Sequence, residues 1–426
     1  MRKPQSPRSA PSAARAGSRT ASGAEGTGRP APLQGIRVLD IATFIAGPFA
    51  AGSLGEFGAE VIKIEKPGVG DNLRELGTRS PAGDSYNWLN ESRNKKCITL
   101  DLRQAQGAAL FKRLVEKSDV VVENFRTGTL EKWGLGYEAL RAINPGLVMV
   151  RITGYGQTGP RREQPGFARI AHAFCGLTYL TGQPDTPPLM PGSTTLADYL
   201  TGIYGAYGVL LALRARDQTG EGQCIDIGLY EPMFRFLDEL APVYAATGHV
   251  RERMGADTYN SVPHSHYPTK DGQWVAIACT NDKMFARFCE IIGQPALAHA
   301  ERFGRKPARL QARAEVNRIV ADWTATLTRE EVVAACAEGE VPCGPINSIA
   351  DIFRDEQFAA RGDLLRVQDP RAGEVVVPAP MPFLSATPGR LQHLGAALGA
   401  HNDEIFRGLL GLDSAELDAL KADGVV

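Results

Sequence analysis

The tightest constraint on this chain is a series of short runs rich in Val, Ile and Leu set between helical ones. "IRVLDIA", "AEVIKIEKPG", "CITLDL", "DVVVENF" and "LVMVRITGYG" follow one another between residues 36 and 156. Helix-forming stretches such as "FAAGSLGEFG" and "GAALFKRLVEKS" separate most of them. A strand wetted on one face alternates apolar with polar residues; these do not, so both of their faces must be covered. The pattern predicts an α/β fold, a doubly wound and mainly parallel sheet with helices on both sides. Ligands of such sheets bind beyond the carboxyl ends of the strands. Residues 42–47, 65–68, 100–103, 123–126 and 153–156 therefore become the places to search for chemistry.

Further along, "GQCIDIGLYE" predicts a strand running into a helix, and residues 250–275 are rich in turn formers. "WVAIACT" and "NDKMFARFCEIIG" then predict a strand and a helix of a second, smaller domain reaching about Glu338. "VPCGPINSIADIFRDEQF" reads as a loop and a helix, and "PRAGEVVVP" as part of a hairpin. Residues 1–32 stand apart: Glu25 is their only acid, and no Leu, Ile, Val or aromatic residue precedes Leu33. They lack the apolar face of a transit peptide and the apolar region of a secretory signal, and are expected to form a disordered tail.

Charge and cysteine usage narrow the partners. With 47 basic and 48 acidic residues the net charge is −1, which gives no field for nucleic acid or an anionic membrane surface. No run approaches the roughly 20 apolar residues of a membrane span. Cys97, Cys175, Cys224, Cys279, Cys289, Cys336 and Cys343 are scattered and form no CxxC pair. That predicts neither zinc nor a disulfide framework, and a cytoplasmic setting.

The longest helical stretch is "TTLADYLTGIYGAYGVLLALR", residues 194–214, with Asp198 in its first turn. Thr201, Gly202, Gly205 and Ala206 share the face of Asp198, so something large is expected to approach the acid there. Leu196, Leu200, Ile203, Tyr207, Leu210 and Leu211 are expected to face the core. An acid at a helix start also suits the partial positive charge of the unpaired N–H groups.

Other constellations are weaker. The turn after the first strand reads A-G-P-F-A-A-G from Ala46, without GxGxxG or GK[ST], and Pro48 removes an N–H where phosphate would need one. It suits a nucleotide-like ligand better than NAD or ATP. Glu65 falls where a dinucleotide fold carries its ribose-binding acid. Lys63, Lys66, Arg93, Lys95, Lys96 and Arg103 flank strands, and at one sheet edge they would hold phosphates. His264 and His266, two apart, would share one face of a strand, and His172 suits helix packing. GxSxG is absent, so no serine triad is indicated. Carboxylates remain as the chemical groups. Asp198 could attack a thioester as a mixed-anhydride-forming nucleophile, its charge supported by the helix start.

From Leu33 to Val426 the chain resembles the family III CoA-transferases. The matching stretches are "PLQGIRVLDIATFIAGPFAAGSLGEFGAEVIKIEKPGVGD", "RNKKCITLDL", "DVVVENFRTG", "GLGYEAL", "ITGYGQTGP", "TLADYLTGIYGAYGVLLAL", "TGEGQCIDIGLYE" and "VPCGPINSI". The resemblance implies a Rossmann-like large domain built from both chain ends (33–225 and 339–426) and a small central α+β domain (226–338). It further implies an interlocked homodimer, and Asp198 as a nucleophile carrying anhydride and aspartyl-CoA thioester intermediates. Coenzyme A thioesters would be substrates, with no permanently bound cofactor and no metal. The CoA-binding positions map onto Ile45, Ala46, Lys66, Leu100, Arg103, Asn124, Phe125 and Lys132.

Departures from the pattern concern substrate. Ile45 stands where formyl-CoA transferases have glutamine, and their glycine-rich small-domain loop is absent. The racemases of this fold carry a GHD motif; here the run is Gly166-Phe167-Ala168. "PGFARIAHAFCGLTYLTGQPDTPP" resembles the branches acting on C4–C5 dicarboxylates, with Arg169, His264 or His266 as the cation for a distal carboxylate. The expectation is CoA transfer from an acyl-CoA such as succinyl-CoA to a small carboxylic acid. An acyl-CoA racemase and a non-catalytic CoA-binding protein are the alternatives.

Overall fold

The computed structural model describes residues 29–426. The expectation for residues 1–28 of the tail lies outside the described residues. In chain order the first elements are β1 (Arg37–Asp40), α1 (Ala46–Glu56), β2 (Glu60–Glu65), α2 (Tyr86–Glu91), β3 (Lys95–Thr99) and α3 (Ala105–Val115). There follow β4 (Val120–Glu123), α4 (Thr129–Lys132), α5 (Tyr137–Arg141), β5 (Val148–Thr153), α6 (Ala168–Phe174), α7 (Leu177–Leu180), α8 (Leu196–Thr219), β6 (Cys224–Gly228) and α9 (Tyr230–Arg235). The strands form one six-stranded sheet in the order β3-β2-β1-β4-β5-β6. The β1–β2, β2–β3, β4–β5 and β5–β6 ladders are all parallel. Every residue of β4 and β5 is buried, as their Val-rich sequences favour, and the two charges among them, Glu123 and Arg151, pair with each other at 2.7 Å.

The chain divides into two compact units. One contains Ile41–Ala50 and Val120–Asp351. Within it β7 (His264–Pro268), β8 (Trp274–Ala278) and β9 (Cys343–Pro345) form a three-stranded antiparallel sheet in the order β7-β8-β9. Val275 and Ile277 of β8 join Phe285, Phe288, Val316, Val320 and Val332 from the helices between 282 and 338 in a separate hydrophobic core. β9 falls where the sequence suggested a loop. Its three residues pair with β8, some seventy positions earlier, and no local apolar pattern announces such a strand.

The other unit contains residues 29–40, Ala51–Asp119 and Ile352–Val426. Its hairpin of β10 (Leu364–Asp369) and β11 (Gly373–Pro378) matches the expectation around "PRAGEVVVP". The sheet-edge strand β3 is covered by the C-terminal segment. Cys97 N–H donates to His401 Nδ1 at 3.0 Å, His401 N–H to the Cys97 carbonyl at 2.9 Å, and Thr99 N–H to Asn402 Oδ1 at 2.9 Å. An exposed edge would otherwise template pairing with another chain.

This unit also corrects the reading of the basic residues. β3 begins at Lys95, so Arg93, Lys95 and Lys96 lie at its amino end, away from the edge where ligands bind. Lys95 is fully buried and reaches Asp40 at 3.0 Å, and buried Lys63 reaches Asp71 at 2.8 Å. Lys96 bridges Glu60 and Glu404, each at 2.6 Å, and Arg93 pairs with Glu56 at 3.1 Å. These four serve internal ion pairs, which burial of a charge demands.

Candidate active site

α8 is built from small and apolar residues, starts after Thr195 and stops at Gly220, which adopts φ +77°. A glycine there ends the helix without the Cβ strain of the left-handed region. The buried side of α8 is its small face: Ala197, Thr201, Gly202, Gly205, Val209, Ala212 and Leu213. What approaches that face is protein. A Cβ on Gly202 would stand 2.7 Å from the Phe49 ring and 2.8 Å from the Ala46 carbonyl oxygen. One on Gly205 would stand 3.3 Å from Ala50 Cβ. The small stripe therefore admits α1, and the large body expected to approach this face is a helix of the protein itself. The large apolar face is the exposed one: Leu196, Ile203, Tyr207, Leu210 and Leu211 all reach solvent, and Leu200 is half-buried. Close helix packing selects the smaller residues, so the larger ones are turned outward. An 18-residue stretch of this helix has a mean hydropathy of 1.3, a length and composition that would suit a membrane span and that core helices of soluble proteins share.

The packing on α1 locates Asp198. Gly205 meets Ala50, and one turn earlier Gly202 meets Ala46 and Phe49. The contact thus runs toward the N-terminus along both helices. Asp198 lies one further turn toward the N-terminus of α8, as the loop between β1 and α1 lies N-terminal to Ala46. Phe49 and Tyr199 pack edge to face at 5.0 Å along this seam. The loop is held in a tight shape: Phe44 has φ +63°, a strained value for a residue with a Cβ. Asn124, just past β4, supports it by accepting from Thr43 N–H at 2.8 Å and donating to the Thr43 carbonyl at 2.7 Å. Phe44 also meets the ring of Phe167, 5.9 Å away and edge-on. Phe167 enters α6 beside Gly166, whose Cα would lie 2.8 Å from a Cβ on Gly154 at the end of β5. No side chain fits that backbone crossing.

Asp198 is half-buried at this point. Burial pushes its carboxyl up to about 6, against a lowering hydrogen bond from the Thr195 side chain. Desolvation thus outweighs the helix start that was expected to keep it low. Thr195 was not singled out from sequence, although Thr-x-x-Asp is a capping signal. Its side chain makes no capping bond to the helix backbone. Instead Ala197 N–H donates to Nε2 of His172, which is buried in α6, at 3.0 Å.

Within the same unit, Ile45 and Ala46 are buried where the loop turns into α1, and Asn124 and Phe125 follow β4. Phe125 stacks edge-on with Trp133 at 5.3 Å, and Lys132 closes α4, exposed. Arg169 is exposed on α6; His264 and His266 occupy the outward side of β7, half-buried and exposed. Lys66, Leu100 and Arg103 belong to the other unit. Lys66 is exposed after β2, and Leu100 N–H donates to the Glu65 carbonyl at 2.8 Å. Arg103 is gripped by Asp101 through Nε at 2.8 Å and an Nη at 2.6 Å. The fork holds the Asp101 carboxyl down at about 2. Glu65 is no ribose ligand: Arg74 occupies both of its oxygens at 2.7 Å.

A family model described as CoA-transferase family III matches residues 33–402. The succinyl-CoA–L-malate CoA-transferase alpha subunit of Chloroflexus aurantiacus is 52% identical over 396 residues, covering 93% of this chain and 92% of that protein. The corresponding beta subunit of the same species is 51% identical, covering 94% of this chain and all of that one. Among solved structures, a CAIB/BAIF family protein from Brucella suis superposes with a TM-score of 0.79 at 36% identity, over 89% of this chain and all of that chain. A model match through the sheet, α8 and the C-terminal return, with relatives about half identical along their length, places this chain in CoA-transferase family III, as the resemblance implied.

Proposed function

We propose that the enzyme moves CoA from succinyl-CoA to a C4–C5 dicarboxylic acid through Asp198. The observation that carries this reading is a carboxylate at the first turn of α8, a helix whose small face packs on α1, half withdrawn from water. Burial weakens its solvation, which favours attack, while a pKa of about 6 leaves it ionised at neutral pH. The Asp198 carboxylate attacks the thioester carbonyl and expels CoA thiolate, leaving a mixed anhydride. The thiolate attacks the aspartyl carbonyl of that anhydride and releases the donor acid, leaving an aspartyl-CoA thioester. The acceptor carboxylate attacks that thioester and expels the thiolate. The thiolate then attacks the acceptor's carbonyl, giving the new acyl-CoA and freeing Asp198.

The reading assigns CoA contacts to Ile45, Ala46, Lys66, Leu100, Arg103, Asn124, Phe125 and Lys132, and the distal carboxylate to Arg169, His264 or His266. The malate named in the two Chloroflexus relatives supports a dicarboxylate acceptor. It also takes 226–338 as a small domain, supported by the separate core there. A cytoplasmic, interlocked homodimer completes the proposal, supported by the exposed Ile203, Tyr207, Leu210 and Leu211, an apolar face that suits burial in a partner. The deciding experiment mixes the enzyme with succinyl-CoA and a panel of small acids and identifies each new thioester by mass spectrometry. A dicarboxylyl-CoA product that disappears with Asp198→Ala is expected. Undiminished exchange by that variant would overturn the assignment of the nucleophile.

A further inference from the structure

The first turn of α8 has an unusual support. Ala197, the residue before Asp198, is fully buried, and its N–H is one of the donors that a helix start leaves unpaired. A Thr at the preceding cap position ordinarily accepts such a bond, but Thr195 makes none to the backbone. The acceptor is Nε2 of His172, at 3.0 Å from a ring with no exposed surface. Since Nε2 accepts, the proton of the neutral ring sits on Nδ1, which has no hydrogen-bond partner among the described residues. The ring thus leaves one of its own polar atoms unmatched while serving the helix start. Burial, with Arg169 nearby, depresses its basicity and so favours the accepting form.

We propose that His172 is a positioning residue: by accepting the Ala197 N–H it fixes the first turn of α8 and holds the Asp198 carboxylate in line for attack. This rests on the reading of Asp198 as nucleophile. Without the acceptor, a buried N–H has no partner and water has no exposed route to it, so the first turn shifts or frays. The bond that His172 makes is to the helix start and to none of the residues assigned to CoA, so the proposal expects binding of the thioester to be unchanged.

The test compares His172→Gln with His172→Asn in the full-length enzyme. The Gln amide oxygen lies at a reach similar to Nε2, whereas that of Asn falls short. Steady-state kinetics with succinyl-CoA are read beside the rate at which the aspartyl-CoA thioester accumulates, detected as a CoA adduct on the Asp198 peptide. Expected for His172→Asn are a kcat and an adduct rate lowered about tenfold or more with KM for succinyl-CoA within about twofold, and recovery of both rates in His172→Gln. Equal rates in both variants, whether normal or lowered, would overturn the proposal, as would a change confined to KM. Asp198→Asn runs in parallel. If it still forms product, the nucleophile assignment fails; if it is inactive while His172→Asn keeps normal rates, only the positioning role fails.

Discussion

Glu65, closing β2, receives Arg74 through two bonds of 2.7 Å and the Asp71 N–H at 2.9 Å, whereas Asp198, opening α8, draws its hydrogen bond from the side chain of Thr195. Both carboxylates are withdrawn from water, and the fold treats them in opposite ways. Around Glu65 the charge is fully compensated, Arg74 being further stacked over the Trp88 ring at 3.6 Å. A carboxylate so engaged stabilises its surroundings, with about three of its four acceptor sites taken by the protein. Among the described residues Asp198 has no cationic partner; burial raises its pKa, and lone pairs stay available. On the proposed function, the pattern sets the reactive acid apart from the structural one better than burial alone does.

The comparison is broken most directly at Asp198. Asp198→Asn keeps shape and burial and removes the nucleophile, so exchange should fall by at least about a thousandfold while the melting temperature holds or rises. Steady-state rates and calorimetry check the two halves. The reverse is expected at Arg74→Met. It leaves Glu65 buried without its cation, which should cost roughly 3–5 kcal/mol of stability and leave kcat per folded enzyme unchanged; denaturant midpoints and active-site titration report on it. Next, Gly202→Ala drives a Cβ into Phe49 and the Ala46 carbonyl, an overpacking of roughly 1–3 kcal/mol that should also lower kcat by displacing the first turn.

The smallest effect is one of pH. With a pKa of about 6, Asp198 is mostly a carboxylate at pH 7 and is protonated as pH falls through 6. Turnover should therefore be flat above about pH 7 and decline about tenfold per unit below 6. A limb near the ordinary aspartate value, about 4, would show that burial does not govern this acid.

Much of this was readable in advance, for identifiable reasons. Val-, Ile- and Leu-rich runs such as "DVVVENF" favour strands covered on both faces, and the six strands stand near the segments read as strands. Asp198 was visible because an acid in a long apolar helix has few bland explanations. The faces of α8 were misjudged because side-chain size was read as depth. Gly202 and Gly205 are buried since α1 comes too close for anything larger, and the larger Ile203 and Tyr207 are turned out. The lysines of β2 and β3 were read as ligand cations because nothing local reveals Asp40 and Asp71 as their partners.

The sequence by itself determined the parallel sheet, the order of its elements, the family, and the acid at the start of α8. These depend on periodicity and on residues near one another along the chain, where local geometry is settled by the backbone. Only the tertiary structure decided that Lys63, Lys95 and Glu65 are consumed in ion pairs, that α1 fills the small face of α8, and that His172 takes the Ala197 N–H. Each of those depends on a partner remote in sequence and on the loss of water around it. Desolvation is a property of the packed molecule, and with it comes the acidity of Asp198.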